Sequence, residues 1–340
     1  MTCRDRSLDA AKGIGIVLVV YAHIIDLQGL YGIYSSVRCI YSFHMPLFFF
    51  LSGYLVQIKS ENISLDARSV IKKRIIRLGV PYFFWSLIYM ILAVNITSLE
   101  RWIAVFTGRG IAPLWFLAAL LLCELAFVCV NVYFSTSKYS NIIYLGLILL
   151  LFSGSFALQQ LQISANLNSE SLGITLYYFF VTFSRFFYSF AIYLCGYLLA
   201  KSKIMDKINS TLNCIGLGAT LLAIAFIITV KNSLVINLHL YIISSVPLFI
   251  ITSLCGSVGV MMIAKSISKY ETGLNMLGKD TLGIMVLHYP PFPWMKMIVA
   301  IISLLTASEL LISAFTILVI IAICIIEIKI IKKINNKIPI

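Results

Sequence analysis

Ten runs of about 20 apolar residues follow one another along this chain, and no other feature restricts its fold so much. They begin near Gly13, Val37, Leu78, Leu114, Ile142, Leu176, Leu212, Leu240, Thr281 and Glu309. A helix of about 20 residues crosses a hydrocarbon core about 30 Å thick, and in lipid each backbone N–H and C=O must find its partner inside the segment. The expected fold is all-α, a polytopic integral membrane bundle of about ten transmembrane helices, with one transmembrane domain over residues 1–340. Composition agrees, because 61% hydrophobic and 11% charged residues would leave a water-soluble chain with a vast exposed apolar surface. The lipid bilayer is therefore the expected solvent.

The formal net charge of +13 raises nucleic acid as a partner, and its distribution argues against one. With a cytoplasmic N-terminus, the outside segments hold only Arg38, Arg101, Arg109, Lys231 and Lys296, and Arg185 falls within a helix. The rest of the 26 lysines and arginines lie on the inside, as the positive-inside rule requires, so both termini are expected in the cytoplasm. Most of these charges then do no more than set orientation. The first apolar run follows a basic start as a signal peptide would, but Tyr21, His23 and Asp26 interrupt its far end and no small-residue cleavage pattern follows; a retained helix is expected. Eight scattered cysteines without a CxxC pair suit packing rather than disulfides or metal ligation, and no metal is expected. No Walker or Rossmann glycine loop signals ATP-driven or nicotinamide chemistry.

Ionisable side chains at membrane depth cost at least a few kcal/mol and are functional candidates by default. Here they are His23 and Asp26 in the first helix, His44 in the second, Glu124 in the fourth, Arg185 in the sixth and His288 in the ninth. Lys12 and His23 are separated by close to three helical turns, so both project from one face, about 16 Å apart along the axis. Asp26 shares that face and can orient the imidazole and hold its tautomer; the alternative is a histidine that satisfies a neighbouring helix. His44 opens the run Phe43-His44-Met45-Pro46-Leu47-Phe48-Phe49-Phe50-Leu51-Ser52-Gly53-Tyr54 at a depth where its ring can meet His23, or else it is an interfacial residue without a role. Gly53 suggests a close helix contact.

Arg74 and Arg77 stand three apart at the cytoplasmic surface, a placement that suits bidentate recognition of phosphates. The alternative is a topology anchor, which Lys72 and Lys73 already supply. Glu124 and Arg185 have opposite charge and can form a buried pair or line a substrate cavity. His288 precedes Tyr289-Pro290-Pro291-Phe292-Pro293, which must break or kink its helix, and irregular backbone at such depth has to be buried or line a cavity.

Lys12 with ten residues before His23, the Phe43–Tyr54 run, the Arg74/Arg77 pair followed by Pro81, and Pro113-Leu114-Trp115-Phe116-Leu117 together resemble the acyltransferase 3 family of bacterial membrane proteins. His288-Tyr289 is similar to a late feature of the same family. The resemblance implies transfer of an acyl group, usually acetyl from acetyl-CoA, to a hydroxyl of a cell-surface glycan or lipid-linked sugar in the bacterial inner membrane. It implies that His23 is catalytic and that Lys12, Arg74 and Arg77 serve the acyl-CoA donor. The second-helix run looks most like the sugar O-acetyltransferase branch. Two departures stand out: the family often has Arg where this chain has Lys12, and we expect no counterpart of the extracytoplasmic domain appended in some members.

On this reading His23, aided by Asp26 or His44, takes the proton of the acceptor hydroxyl as it attacks the thioester, or carries the acyl group itself; Glu124, Arg185 and His288 line the substrate cavity. The rival is a transporter or flippase for a lipid-linked saccharide. Transporters commonly show two related halves with paired broken helices, whereas the motifs here crowd into the first three helices.

Overall fold

The computed structural model describes residues 5–27, 35–59, 67–92, 96–208, 210–268, 272–289, 294–305, 309–334 and 338. Helix α1 (Arg6–Leu27) leads to α2 (Ser35–Tyr41), α3 (His44–Lys59), α4 (Ala67–Arg74), a π-helical turn over Ile75–Gly79, and α5 (Val80–Leu92). Then come α6 (Leu99–Phe106), a short 3-10 turn at Ala112–Leu114, α7 (Trp115–Phe134), α8 (Ser140–Ser164), α9 (Ser169–Leu172), α10 (Ile174–Ser202), α11 (Ile204–Lys207) and α12 (Thr211–Lys231). A two-stranded hairpin, β1 (Ile236–Asn237) and β2 (Ile242–Ile243), precedes α13 (Val246–Ile267), α14 (Gly273–Lys279), α15 (Thr281–Leu287), α16 (Trp294–Leu305) and α17 (Glu309–Ile334).

Among the described residues nine helical segments are long and apolar enough to cross a membrane. The chain is an all-α, multi-pass membrane protein. The run from Thr281 forms two shorter helices, α15 and α16, rather than one span. Its break was expected from the prolines; Pro290–Pro293 themselves lie outside the described residues. Other boundaries also differ from the sequence reading, among them the first, where the helix already starts at Arg6 and not near Gly13. The third span starts at Ala67, not Leu78, because the basic stretch before Leu78 is itself helical and joins α5 through the π turn. The eighth starts at Val246, not Leu240, because the residues before it turn back as the hairpin, with Tyr241 at φ 54°.

The chain divides into two compact units, the first made of residues 1–47, 209–234 and 251–340, the second of residues 48–208 and 235–250. In the first, α1 lies directly on α14 because both offer glycine at the crossing: a Cβ on Gly13 would run into the Leu274 carbonyl, and one on Gly278 into that of Asp9. The Asn275 amide donates to the Arg6 carbonyl at 2.7 Å and fixes the register. Gly256 makes room for the Phe43 ring, and the Ser253 hydroxyl donates to the Ser42 carbonyl at 2.8 Å.

In the second unit, α3 and α10 meet through the same device. A Cβ on Gly53 would strike the Tyr193 carbonyl and one on Gly196 the Phe50 carbonyl, so the close contact expected at Gly53 is present. Small residues are what permit this approach where lipid supplies no hydrophobic drive between helices. Around the crossing Phe127, Tyr144, Tyr193 and Tyr197 pack ring to ring, and Tyr188 stacks on Phe249 at 4.3 Å. The opposite faces are apolar and exposed, with Leu149 and Leu150 on α8 at 68% and 66%, a pattern that only a lipid solvent accommodates.

Candidate active site

His23 lies in the last third of α1, half-buried, eleven residues beyond Lys12 on the same helix. Its Nδ1 is 2.8 Å from Nε2 of His288. The two rings are stacked, with centroids 5.1 Å apart and planes 15° apart, while Tyr289 presents its edge to His23 at 4.9 Å. His288 is the residue at which α15 ends, since Tyr289 precedes Pro290 and a residue before proline is driven out of helical conformation. This ending places the buried His288 ring back over its own last turn, where Nδ1 meets the Ile284 carbonyl at 2.9 Å.

Those two contacts fix the protons. A carbonyl only accepts, so His288 Nδ1 carries a hydrogen, and in the neutral ring Nε2 then holds the lone pair. His23 must then donate from Nδ1 to His288, which leaves the basic lone pair of His23 on Nε2. The pair is thus a neutral relay in which a backbone carbonyl, through one imidazole, sets the tautomer of the next.

Expectations for the other first-unit residues need revising. The partner of His23 Nδ1 is His288, not Asp26, which lies exposed toward the end of α1. His44 is buried at the start of α3, donates from Nδ1 to the Ile40 carbonyl at 2.8 Å, and meets Tyr41 edge-on. The ring expected to meet His23 was that of His44; the one that does is His288.

In the second unit, Arg74 and Arg77 converge on one carboxylate. Arg77 Nη2 donates to Glu124 Oε1, and Arg74 Nη1 lies 3.3 Å from Glu124 Oε2. The π turn that starts at Ile75 widens the helix between the two guanidinium groups, an irregularity that tends to occur at functional sites. Glu124 is 4% exposed, Arg74 18% and Arg77 48%. Two cations on one anion leave the cluster with net positive charge, and the half-exposed Arg77 retains donors directed away from Glu124.

The sequence also allowed Glu124 to pair with Arg185. The structure corrects this, because Glu124 is taken by Arg74 and Arg77, and the Nη groups of Arg185 donate to main-chain oxygens instead. The Arg185 guanidinium is fully buried, donates through Nη2 to the Gly108 carbonyl at 2.8 Å and through Nη1 to the His239 carbonyl at 3.2 Å, and lies over the Trp115 ring at 4.7 Å. His239 was absent from the candidates. It sits between β1 and β2, where sequence reasoning saw an outer loop, although Ile236, Leu238 and Leu240 are too apolar for a solvated loop and were the available signal.

A family profile described as "Acyltransferase domain" matches residues 5–327. Nodulation protein NolL of Sinorhizobium fredii is 28% identical over 127 residues, 35% of this chain and 34% of that protein. Nodulation protein NolL of Mesorhizobium japonicum is 37% identical over 87 residues, 24% of this chain and 23% of its own length. The alignments therefore span about a third or less of these relatives. No solved structure matches.

Proposed function

Because this chain belongs to the acyltransferase 3 family, we propose that it is an O-acetyltransferase of the bacterial inner membrane, moving acetyl from acetyl-CoA to a hydroxyl of a cell-surface glycan or lipid-linked sugar. The observation that carries the mechanism is the hydrogen bond from His23 to His288, because it aligns a neutral imidazole with its lone pair on Nε2. Nε2 takes the proton of the acceptor hydroxyl as that oxygen attacks the thioester carbonyl. The oxygen–carbon bond forms, the carbon–sulfur bond breaks, and the departing CoA thiolate receives the proton held on His23. His288 holds the ring against rotation and shares the transient positive charge, the part that a buried carboxylate takes in other triads.

Arg77 and Arg74, steadied by Glu124, supply a cationic surface suited to the phosphates of the donor; Lys12, on the helix that carries the base, is a separate candidate for the donor. The pairing with Glu124 holds both guanidinium groups ready and lowers the entropy lost when phosphate binds.

The test is transfer of labelled acetyl from acetyl-CoA by the full-length protein in native membranes. Replacing His23 with Ala should lower the rate by about 10²–10⁴-fold, the usual contribution of a general base, while insertion and abundance stay the same. Undiminished transfer by H23A would remove the mechanism.

A further inference from the structure

The second unit holds a set of polar side chains that this chemistry does not use. Arg185 on α10, Arg109 in the loop after α6, and His239 between the strands form one connected group. Arg185 donates to the carbonyls of Gly108 and His239; His239 stacks on Trp115 with planes 10° apart; Trp115 lies under the Arg185 guanidinium. Arg109 lies over the Tyr178 ring at 4.5 Å, and the Tyr178 hydroxyl donates to Glu100.

The loop reaches Arg185 because Gly108 and Gly110 take φ of 76° and 75°, and because a Cβ on Gly110 would collide with the Trp115 backbone. Only glycine permits both. Trp115 opens α7 and Glu124 stands at its middle, nine residues and about 14 Å further along the axis, so the group lies half a helix from the Arg74/Arg77 cluster, at the start of α7. By the charge asymmetry of the chain that is the outer half.

Three atoms of this group are buried without a hydrogen-bond partner: Arg185 Nε, Arg109 Nε and His239 Nε2. A fourth, Thr182 Oγ1, belongs to the residue whose methyl group lies against Gly108. Neither arginine forms an ion pair with a carboxylate among the described residues. Orphaned polar atoms are rare in folded proteins and each one calls for an explanation. Several in one connected group point to a polar partner that the group is built to take.

The chemistry of the orphans selects among complements. Both arginine Nε–H groups donate. His239 bonds the Gly110 backbone through its other nitrogen, in the sense that favours a ring N–H there, so Nε2 offers a lone pair. A carboxylate or phosphate would satisfy the arginines but repel that lone pair. A hydroxyl does both, accepting from Arg Nε–H and donating to His239 Nε2. We propose that Arg109, Arg185 and His239 form a subsite for the hydroxyl groups of a saccharide. This rests on the acyl-transfer reading only in treating the saccharide as the acceptor; the binding itself does not depend on it.

The experiment measures binding of tritiated methyl glycosides, and of their octyl counterparts, to full-length protein in nanodiscs free of glycoside detergent. Saturable binding of at least one glycoside, weakened roughly tenfold or more by His239→Phe and by Arg109→Gln, is the expected result. His239→Gln keeps an acceptor oxygen and should recover most of the affinity, which separates loss of the acceptor from loss of fold. Tighter octyl glycosides assign a lipid-linked sugar, and equal affinities a free glycan.

No saturable binding, affinity unchanged in both variants, or equal displacement by inorganic phosphate would each overturn the subsite. Acetyl-CoA turnover by the same preparation is scored separately. Absence of turnover with glycoside binding intact condemns the enzymatic reading and leaves the subsite standing.

Discussion

At the scale of single residues the most informative contact joins His23 to a residue 265 positions away. If His288 serves to hold the tautomer of His23, His288→Ala should reduce acetyl transfer by less than His23→Ala does, and adding it to His23→Ala should cost little more, since residues that act as a unit are not additive. Transfer kinetics of the two single variants and the double variant test this; independent, multiplying losses would place His288 outside the relay. A second prediction concerns His239, whose ring is held down to about 3 by burial first and then by the Arg185 and Arg109 charges, against the opposing effect of its bond to Gly110. A lowered value means that the unfolded chain binds the proton more readily, so stability falls as pH falls. The contribution is whole above 6.5 and is lost as pH drops from there toward 3. The gap in apparent Tm between the unaltered protein and His239→Phe should shrink between pH 7 and pH 4; a constant gap would contradict the buried neutral ring. That Lys12 and His23 share one helix was legible in the sequence, because a single apolar run joins them. His288 as the partner was not, because periodicity says nothing about which ring on another helix a given ring will meet.

At the scale of elements, glycine decides where helices touch. Gly13 with Gly278, and Gly53 with Gly196, form two crossings in which each helix presents a glycine to a carbonyl of the other. Gly53 was readable in advance as a contact, but its partner α10 was not, since a small residue marks a close approach without naming what approaches. Gly13→Leu or Gly278→Leu must force α1 away from α14, and overpacking of this kind costs typically about 1–3 kcal/mol. Here the collision is with backbone, which cannot rotate aside, so the upper end of that range or beyond is expected. Gly216, where a Cβ would meet nothing within 4 Å, serves as the control. Thermal challenge followed by size exclusion should show early loss of the α1/α14 variants and little change for Gly216→Leu. Because α1 carries His23 and α15 follows α14 directly, the same variants should lose transfer at temperatures where they remain folded. The π turn after α4 escaped the sequence reading for a different reason: Arg74 and Arg77 look like neighbours on a regular helix, and only the backbone over Ile75–Gly79 shows that the helix is widened there, where both reach Glu124.

For the whole molecule, the nature of the spans was legible, and their number to within the broken run from Thr281, because hydropathy over about 20 residues is set by the bilayer and not by tertiary detail. A boundary was missed where chain at the edge of a span breaks regularity, at the hairpin before α13, whereas the break between α15 and α16 was announced by the prolines. The distribution of charge adds a directional prediction. Within the second unit the Arg185 group lies at the start of α7, and Glu124, with Arg74 and Arg77, at its middle; the excess of Lys and Arg assigns the far end of α7, and with it the side from which the cluster is reached, to the cytoplasm. Acetyl-CoA does not cross lipid, because its phosphates are charged. Inverted vesicles should therefore transfer acetyl from added acetyl-CoA, whereas sealed right-side-out vesicles should do so only after permeabilisation. Arg77→Ala should raise the donor KM in inverted vesicles more than it lowers kcat, since uniform binding is what a phosphate contact supplies. Activity in sealed right-side-out vesicles, with inverted vesicles inactive until permeabilised, would mean that the donor cluster is reached from the outside, and the assignment of the far end of α7 to the cytoplasm would fall with it.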